Sequence, residues 1–186
     1  MNITGPTLLR RPLVAVAAAV LLAGCADQAP LAPEGQPETI VQFARAATAE
    51  EAVVIATLRR VTARYHNLEL AIADGFVLVH PCEERPGEGP VGLLYAHFGR
   101  VGDGLIDPEQ PEGLIYEPGM NGGLSLVGVE FAVPYQDPIQ QPPQFLGATF
   151  QPEDEFGVFG LHVWVWRHNP EGMFATTNPN VSCDAA

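Results

Sequence analysis

The chain has 186 residues, of which nine are arginine and none is lysine, and its formal net charge is −13. So acidic a surface repels nucleic acid and anionic lipid headgroups, which argues against a nucleic-acid partner and against membrane attachment by charge. The length is sufficient for one domain with a hydrophobic core.

The first 25 residues have the layout of an export signal. Arg10 and Arg11 precede an apolar stretch over Leu13–Leu22, which is too short to span a bilayer because a transmembrane helix needs roughly 20 apolar residues. The segment closes with Leu22-Ala23-Gly24-Cys25, which resembles the lipobox of bacterial lipoproteins. The resemblance implies cleavage after Gly24 and attachment of a diacylglycerol to Cys25. An ordinary secretory signal or a buried helix with an incidental cysteine is the alternative.

This resemblance predicts a palmitate-type lipid anchor on the extracytoplasmic side of the cell envelope, in the outer membrane if the host has one. Several acyl chains on Cys25 would make a stable anchor. Loss of a signal peptide over residues 1–24 removes two arginines and changes the net charge from −13 to −15. Residues 25–47, which contain several prolines, are predicted to form a flexible tether. Residues 48–186 are predicted to form a single domain.

Two cysteines remain after Cys25, and both belong to the predicted domain. Cys82 and Cys183 form an even pair in a chain predicted to reach an oxidising compartment, which favours a disulfide. The bond would close a loop of about 100 residues and tie the carboxyl terminus to the start of the sheet. Metal ligation or a reactive thiol is the alternative.

The domain begins with a predicted helix. Thr48-Ala49-Glu50-Glu51 has the pattern of a capping box. After it, apolar residues recur at helical spacing and form one stripe: Val54, Leu58, Val61, Tyr65, Leu68 and Ile72. With Gly75 as the stop, the pattern predicts one long amphipathic helix over residues 49–74, with room for a kink near His66-Asn67.

The rest of the domain alternates between strand-like segments and Gly/Pro-rich connections. The predicted strands are Phe76–His80, Gly92–Phe98, Gly113–Glu117, Leu124–Val133 and Val158–His168. Asn121-Gly122 predicts a hairpin, and residues 134–156 are predicted to be a long loop. One long helix followed by consecutive strands predicts an α+β fold, with the helix packed on an antiparallel sheet of about four to five strands, in a cystatin-like or half-barrel arrangement.

Alternation along the predicted strands separates an apolar face from a polar face. The residues assigned to the apolar face are Leu94, Ala96, Phe98, Val127, Val129, Phe131, Val133, Leu161, Val163 and Val165. The opposite face then gathers Tyr95, His97, Glu130, His162, Trp164 and Trp166.

This polar face is the candidate site. His97, Glu130 and His162 could bind a divalent metal, because two imidazoles and a carboxylate form a known ligand set, or they could do acid–base work. Tyr95, Trp164 and Trp166 are the candidate pocket wall. The alternative is structural: the three polar groups satisfy one another while the tryptophans form a second small core.

The sequence also resembles a family of uncharacterised secreted bacterial proteins over residues 60–183. The likeness lies in residues 159–174 and 178–183, in Tyr95-Ala96-His97 and in Val129-Glu130-Phe131. It brings no established activity with it, and it leaves the identity of any cofactor unknown. The sequence therefore favours a membrane-anchored, non-enzymatic binding or structural module of the envelope. A metal- or small-molecule-binding protein, with an enzyme as a further option, is the alternative.

Overall fold

The computed structural model describes residues 48–119, 122–135 and 141–184. The predicted signal peptide, the Cys25 attachment site and the tether lie outside these ranges, as does Asn121 of the predicted hairpin. No helix within the described ranges is long and apolar enough to cross a membrane.

The predicted capping box is confirmed at the start of the first helix. The Thr48 side chain accepts a hydrogen bond from the Glu51 N–H, and the Glu51 carboxylate accepts one from the Thr48 N–H. Helix α1 (Ala49–Thr62) therefore begins where the sequence predicts, with two of its free donors satisfied.

The prediction of a single long helix is wrong. After α1 the chain forms a 3₁₀ turn (Ala63–His66) and then a separate helix α2 (Leu68–Ala73). Asn67 has extended backbone angles, and its side chain accepts a hydrogen bond from the Glu69 N–H at 3.0 Å. An asparagine side chain that caps in this way stabilises extended backbone angles at its own position, which end the preceding helical turn. The apolar spacing therefore continues past Asn67 although the helix is interrupted there.

The strands form a six-stranded antiparallel sheet in the order β1-β2-β3-β4-β8-β7, and β5 and β6 form a separate small hairpin. The bounds are β1 (Val77–Arg85), β2 (Gly89–Ala96), β3 (Gly113–Pro118), β4 (Leu124–Pro134), β5 (Gln144–Phe145), β6 (Ala148–Thr149), β7 (Gln151–Glu153) and β8 (Val158–Val163). A four-residue helix α3 (Phe98–Val101) follows β2. All five predicted strands are present, but the predicted loop over 134–156 contains three more short ones.

The sheet curls into a half-barrel, as the α+β prediction allowed. One cavity is lined by residues of β1, β2, β4, β7 and β8, so both edge strands contribute to it. The His80 ring of β1 also lies 6.3 Å from the Phe156 ring that follows β7. We call the face that lines this cavity the inner face; it carries Leu94, Glu130 and His162.

The other face packs against the helices and forms the helix-facing core. Buried Leu58 and Tyr65 from the helical segment join Val129, Phe131 and Val163 of the sheet. This core is continuous from α1 to β8, and its apolar burial supplies the main driving force for folding.

Several assignments of residues to faces were wrong. In β2, Tyr95 belongs to the helix-facing core and packs edge to face against Tyr116 at 5.3 Å, so Leu94 and Ala96 line the inner face instead. In β4, Val127 lies on the inner face because a bulge shifts the β3–β4 register after Ile115. A bulge adds one residue to one strand and reverses the alternation beyond it.

The predicted disulfide is present. Cys82 in β1 is bonded to Cys183, with 5.4 Å between their Cα atoms and 101 residues of sequence separation. Near it, Val181 is buried in a second small core with Leu94 and Trp164. The carboxyl-terminal segment is thereby attached to the edge of the sheet.

Candidate metal centre

Three titratable side chains meet on the inner face of the half-barrel: Glu130, Glu153 and His162. Glu130 on β4 is directly opposite His162 on β8, and Glu153 ends the short edge strand β7. The Glu130 Oε1 and His162 Nε2 atoms are 3.7 Å apart, and one ligand atom from each of the three residues lies within 4.8 Å of the others. We call this set the Glu130–Glu153–His162 cluster.

Two glycines provide the space that Glu130 occupies. A Cβ added at Gly160 would lie 2.9 Å from Oε1 of Glu130 and 2.9 Å from Oε1 of Glu153. A Cβ at Gly113 would lie 2.9 Å from Oε2 of Glu130. Any side chain at position 160 would therefore displace both carboxylates, and any side chain at position 113 would displace that of Glu130.

A backbone carbonyl fixes the orientation of the His162 ring. Nδ1 lies 2.7 Å from the Thr176 carbonyl oxygen, which can only accept, so Nδ1 carries a proton. In the neutral ring, Nε2 is then the lone-pair nitrogen, and it is the atom that faces Glu130. This is how metal-binding histidines are commonly held, with the second ring nitrogen donating to an oxygen.

The cluster places two carboxylates beside one imidazole in a largely buried position. The side chains of Glu130 and His162 are each 4% exposed, and Glu130 Oε1 has no hydrogen-bond partner among the described residues. Burial alone would lower the pKa of His162, but the Glu130 and Glu153 carboxylates outweigh it and raise that pKa. Burial and the Glu130 carboxylate raise the pKa of Glu153. Two carboxylates, one buried and one half-buried, beside one imidazole favour uptake of a cation or a proton.

His97 is not part of this cluster. Its ring packs against Phe76 of the helix-facing core at 5.4 Å, and its Nδ1 accepts a hydrogen bond from the Arg100 N–H. The predicted set of His97, Glu130 and His162 is therefore incorrect in one member. The error has the same origin as that for Tyr95. His97 is two residues after Tyr95 and lies on the same side of the chain, which faces the helices and not the cluster.

The three predicted wall residues are dispersed. Tyr95 lies in the helix-facing core. Trp166 also lies on the helix side: β8 ends at Val163 and the chain bends, so the Trp166 indole donates to Thr62 and packs against His66 at 4.5 Å. Trp164 alone remains beside the cluster, with its ring 5.9 Å from that of His162.

Glu153 was not predicted, because its surroundings, residues 134–156, were predicted to be a long loop. One sequence signal could have identified it: Gly157 directly precedes the strand predicted to start at Val158, and in the structure this glycine has a positive φ of 66°. A turn of this kind pairs Glu153 with Val158 in a hairpin and places the carboxylate on the inner face.

The donor set fits a divalent transition metal. Carboxylate oxygen and imidazole nitrogen are ligands for Zn²⁺, Mn²⁺ and Fe²⁺. Bonds of about 2.1 Å in tetrahedral geometry put ligand atoms roughly 3.4 Å apart, close to the 3.7 Å between Glu130 and His162. Glu153 lies on a three-residue strand at the sheet edge, with a carboxylate oxygen within 4.8 Å of the ligand atoms of Glu130 and His162.

No family model matches the chain, and neither a curated protein nor a solved structure matches it. Its function is therefore argued from the geometry of the cluster.

Proposed function

We propose that this protein binds a divalent transition metal ion through His162, Glu130 and Glu153. The observation that carries the proposal is the Glu130 Oε1 atom, which is buried, has no hydrogen-bond partner among the described residues and faces His162 Nε2 at 3.7 Å. Leaving a charged oxygen buried without a partner costs several kcal/mol, and a metal ion at that point would remove the cost.

A proton is the competing cation. Protonated His162 would pair with Glu130 and make the cluster a structural ion pair inside the sheet. The separation of 3.7 Å exceeds hydrogen-bond length, so such a pair would leave much of its interaction energy unused. The two carboxylates also carry more charge than one imidazolium neutralises, which favours a divalent ion.

The test is metal analysis of protein purified without chelator, followed by titration of the metal-free protein with Zn²⁺ and Mn²⁺. We expect binding of one equivalent by the wild type. His162→Gln, Glu130→Gln and Glu153→Gln should each lose it. Gly160→Ala should weaken binding by about 10- to 100-fold, because its Cβ displaces both carboxylates.

His97→Gln is the matched control, since it removes a histidine that was predicted as a ligand but lies outside the cluster. It should bind metal as the wild type does. Circular dichroism and thermal melts would identify any variant that has lost its fold. Wild-type protein that binds neither ion, or a folded His162→Gln variant that binds as well as the wild type, would refute the proposal.

We also propose that this metal-binding domain is held in the bacterial cell envelope by a lipid on Cys25. The proposal is supported by the lipobox-like Leu22-Ala23-Gly24-Cys25 and by a disulfide suited to an oxidising compartment. The role is binding rather than catalysis, in a cystatin-like arrangement of helix on sheet. Cys25→Ser should move the protein from the membrane fraction to the soluble fraction, and continued membrane attachment would contradict the anchor.

A further inference from the structure

Two spaces of opposite character meet at the Glu130–Glu153–His162 cluster. On one side is a cavity of about 140 Å³, whose acidic residues are Glu130 and Glu153. Its other lining residues are apolar, and they include Leu94, Ala96, Val101, Ala132, Phe156 and Val158. The cavity lies inside the half-barrel and borders the two carboxylates that we propose as metal ligands.

On the other side is an open groove of about 490 Å³, bordered by Glu153 and His162. Four more acidic residues line it, together with Arg85 and His80: Glu83, Glu88, Asp154 and Glu155. Acidic walls concentrate cations, so this groove offers a metal ion a route to the cluster. The metal ion therefore does not need to enter through the apolar cavity, which can hold a different molecule.

We propose that this cavity binds a small neutral molecule with one oxygen donor, an alcohol or a ketone, and an apolar group of about six carbons. The inference rests on the proposed metal site. Three protein ligands leave a coordination position open, as in metal sites that also bind a small ligand. Because the cavity borders Glu130 and Glu153, the oxygen of the bound molecule would reach the ion from that side.

Charge and size define the ligand class. Two carboxylates already neutralise a divalent ion, so an anionic ligand would bring an unbalanced charge into a buried space. The volume of about 140 Å³ is close to that of an apolar cavity of about 150 Å³ that holds a benzene molecule. One six-membered ring is therefore the upper limit for the apolar group.

The experiment uses the full-length protein loaded with Co²⁺, whose visible absorption responds to a change in its ligands. Cyclohexanol is the probe, cyclohexanecarboxylate is the charged comparison, and cyclohexane has no donor. We expect cyclohexanol to change the Co²⁺ spectrum in a saturable way and cyclohexanecarboxylate to bind at least about tenfold more weakly. Cyclohexane should leave the spectrum unchanged.

Two variants test the location. Ala132→Leu fills the cavity from β4, and Val101→Phe narrows it from α3, where a larger side chain is less disruptive to the core. Both should keep the Co²⁺ affinity of the wild type within about twofold and weaken cyclohexanol binding by at least about tenfold. His97→Gln should behave as the wild type in both measurements.

The outcomes separate the two proposals. Failure of Co²⁺ to bind refutes the metal site and this inference with it. Normal Co²⁺ binding with no spectral response to cyclohexanol refutes the ligand alone. A response that both cavity variants retain places the ligand elsewhere and also refutes the inference.

Discussion

At the scale of single residues, Glu112, which directly precedes β3, is a buried carboxyl group outside the Glu130–Glu153–His162 cluster. It is 2% exposed, and its Oε2 accepts a hydrogen bond from the Ala132 N–H. Burial, with a smaller contribution from the Asp103 and Glu130 charges, raises the pKa of Glu112 to about 8. The group is therefore neutral in the folded protein at pH 6 and charged in the unfolded chain.

This difference predicts a stability that falls as the pH rises from about 4.5 to about 8. Below this window both states hold the proton, and above it both have lost it. Within it the unfolded state binds fewer protons, so each pH unit costs up to about 1.4 kcal/mol of unfolding free energy. Glu112→Gln keeps an acceptor for Ala132 and should remove this part of the slope.

Urea denaturation of chelator-treated protein at pH 5 and pH 8 would measure the effect. The advantage of Glu112→Gln over the wild type should be larger at pH 8 than at pH 5. Glu155→Gln, at an exposed position, serves as the control and should leave the slope as it is. An equal difference at both pH values would argue against a neutral Glu112.

The same scale explains which site residues could be predicted. Glu130 and His162 follow from simple alternation in two strands that pair directly. His97 was misplaced because the rule assigns apolar residues to the helix-facing core, whereas Tyr95 and Tyr116 fill that core with aromatic rings. Tyrosine has both an apolar ring and a polar tip, so alternation alone does not decide its face.

At the scale of elements, the helical segment shows a local capping interaction that interrupts a helix predicted from apolar spacing. The apolar stripe predicted helix from residue 49 to residue 74, but the chain leaves helical geometry between α1 and α2. The predicted kink position, His66-Asn67, lies at this break. The Asn67 side chain accepts its capping hydrogen bond from Glu69, only two residues away, whereas the stripe is an average over about five turns, so only the stripe is visible in the pattern.

Asn67→Ala distinguishes a capped break from a continuous helix by the sign of its effect. Alanine is the best helix former, so it would stabilise an unbroken helix. Because Asn67 caps α2 through Glu69, we expect alanine to lower the unfolding free energy by about 1 kcal/mol. Thermal and urea denaturation would measure it, with Asn67→Asp, which keeps a capping acceptor and should keep the stability, as the matched control. Increased stability would mean that the cap contributes nothing.

Of the eight strands in the described residues, five were predictable together with their order along the chain, because turn residues separate their apolar runs. The three short strands and the register were not predictable in this way. The bulge opposite Ile115 and the short β7 were not predicted. A bulge depends on how two strands pair, which local sequence patterns do not show. The inner face was consequently predicted with two of its three cluster residues.

At the scale of the whole molecule, the carboxyl-terminal segment contacts both the edge strand β1 and the interior strand β8. The Cys82–Cys183 bond ties the carboxyl-terminal segment to the edge strand β1. That segment also carries the Thr176 carbonyl that orients His162 on β8. The disulfide and the cluster therefore both contact the carboxyl-terminal segment. Removing the disulfide tests whether this bond is needed to hold the His162 ring in place.

We expect the double variant Cys82→Ser, Cys183→Ser to lose roughly 4–5 kcal/mol of unfolding free energy, because the bond closes a loop of about 100 residues. It should nevertheless keep the metal affinity of the wild type. Thr177 Oγ1 donates to the Glu88 carbonyl at 2.6 Å, and the Asn178 N–H donates to the Pro90 carbonyl at 3.0 Å, so Thr176 stays in place without the bond. Urea denaturation and Zn²⁺ titration of the same samples would measure both quantities. Lost metal binding in a variant that is still folded would show that the disulfide, rather than these hydrogen bonds, positions His162.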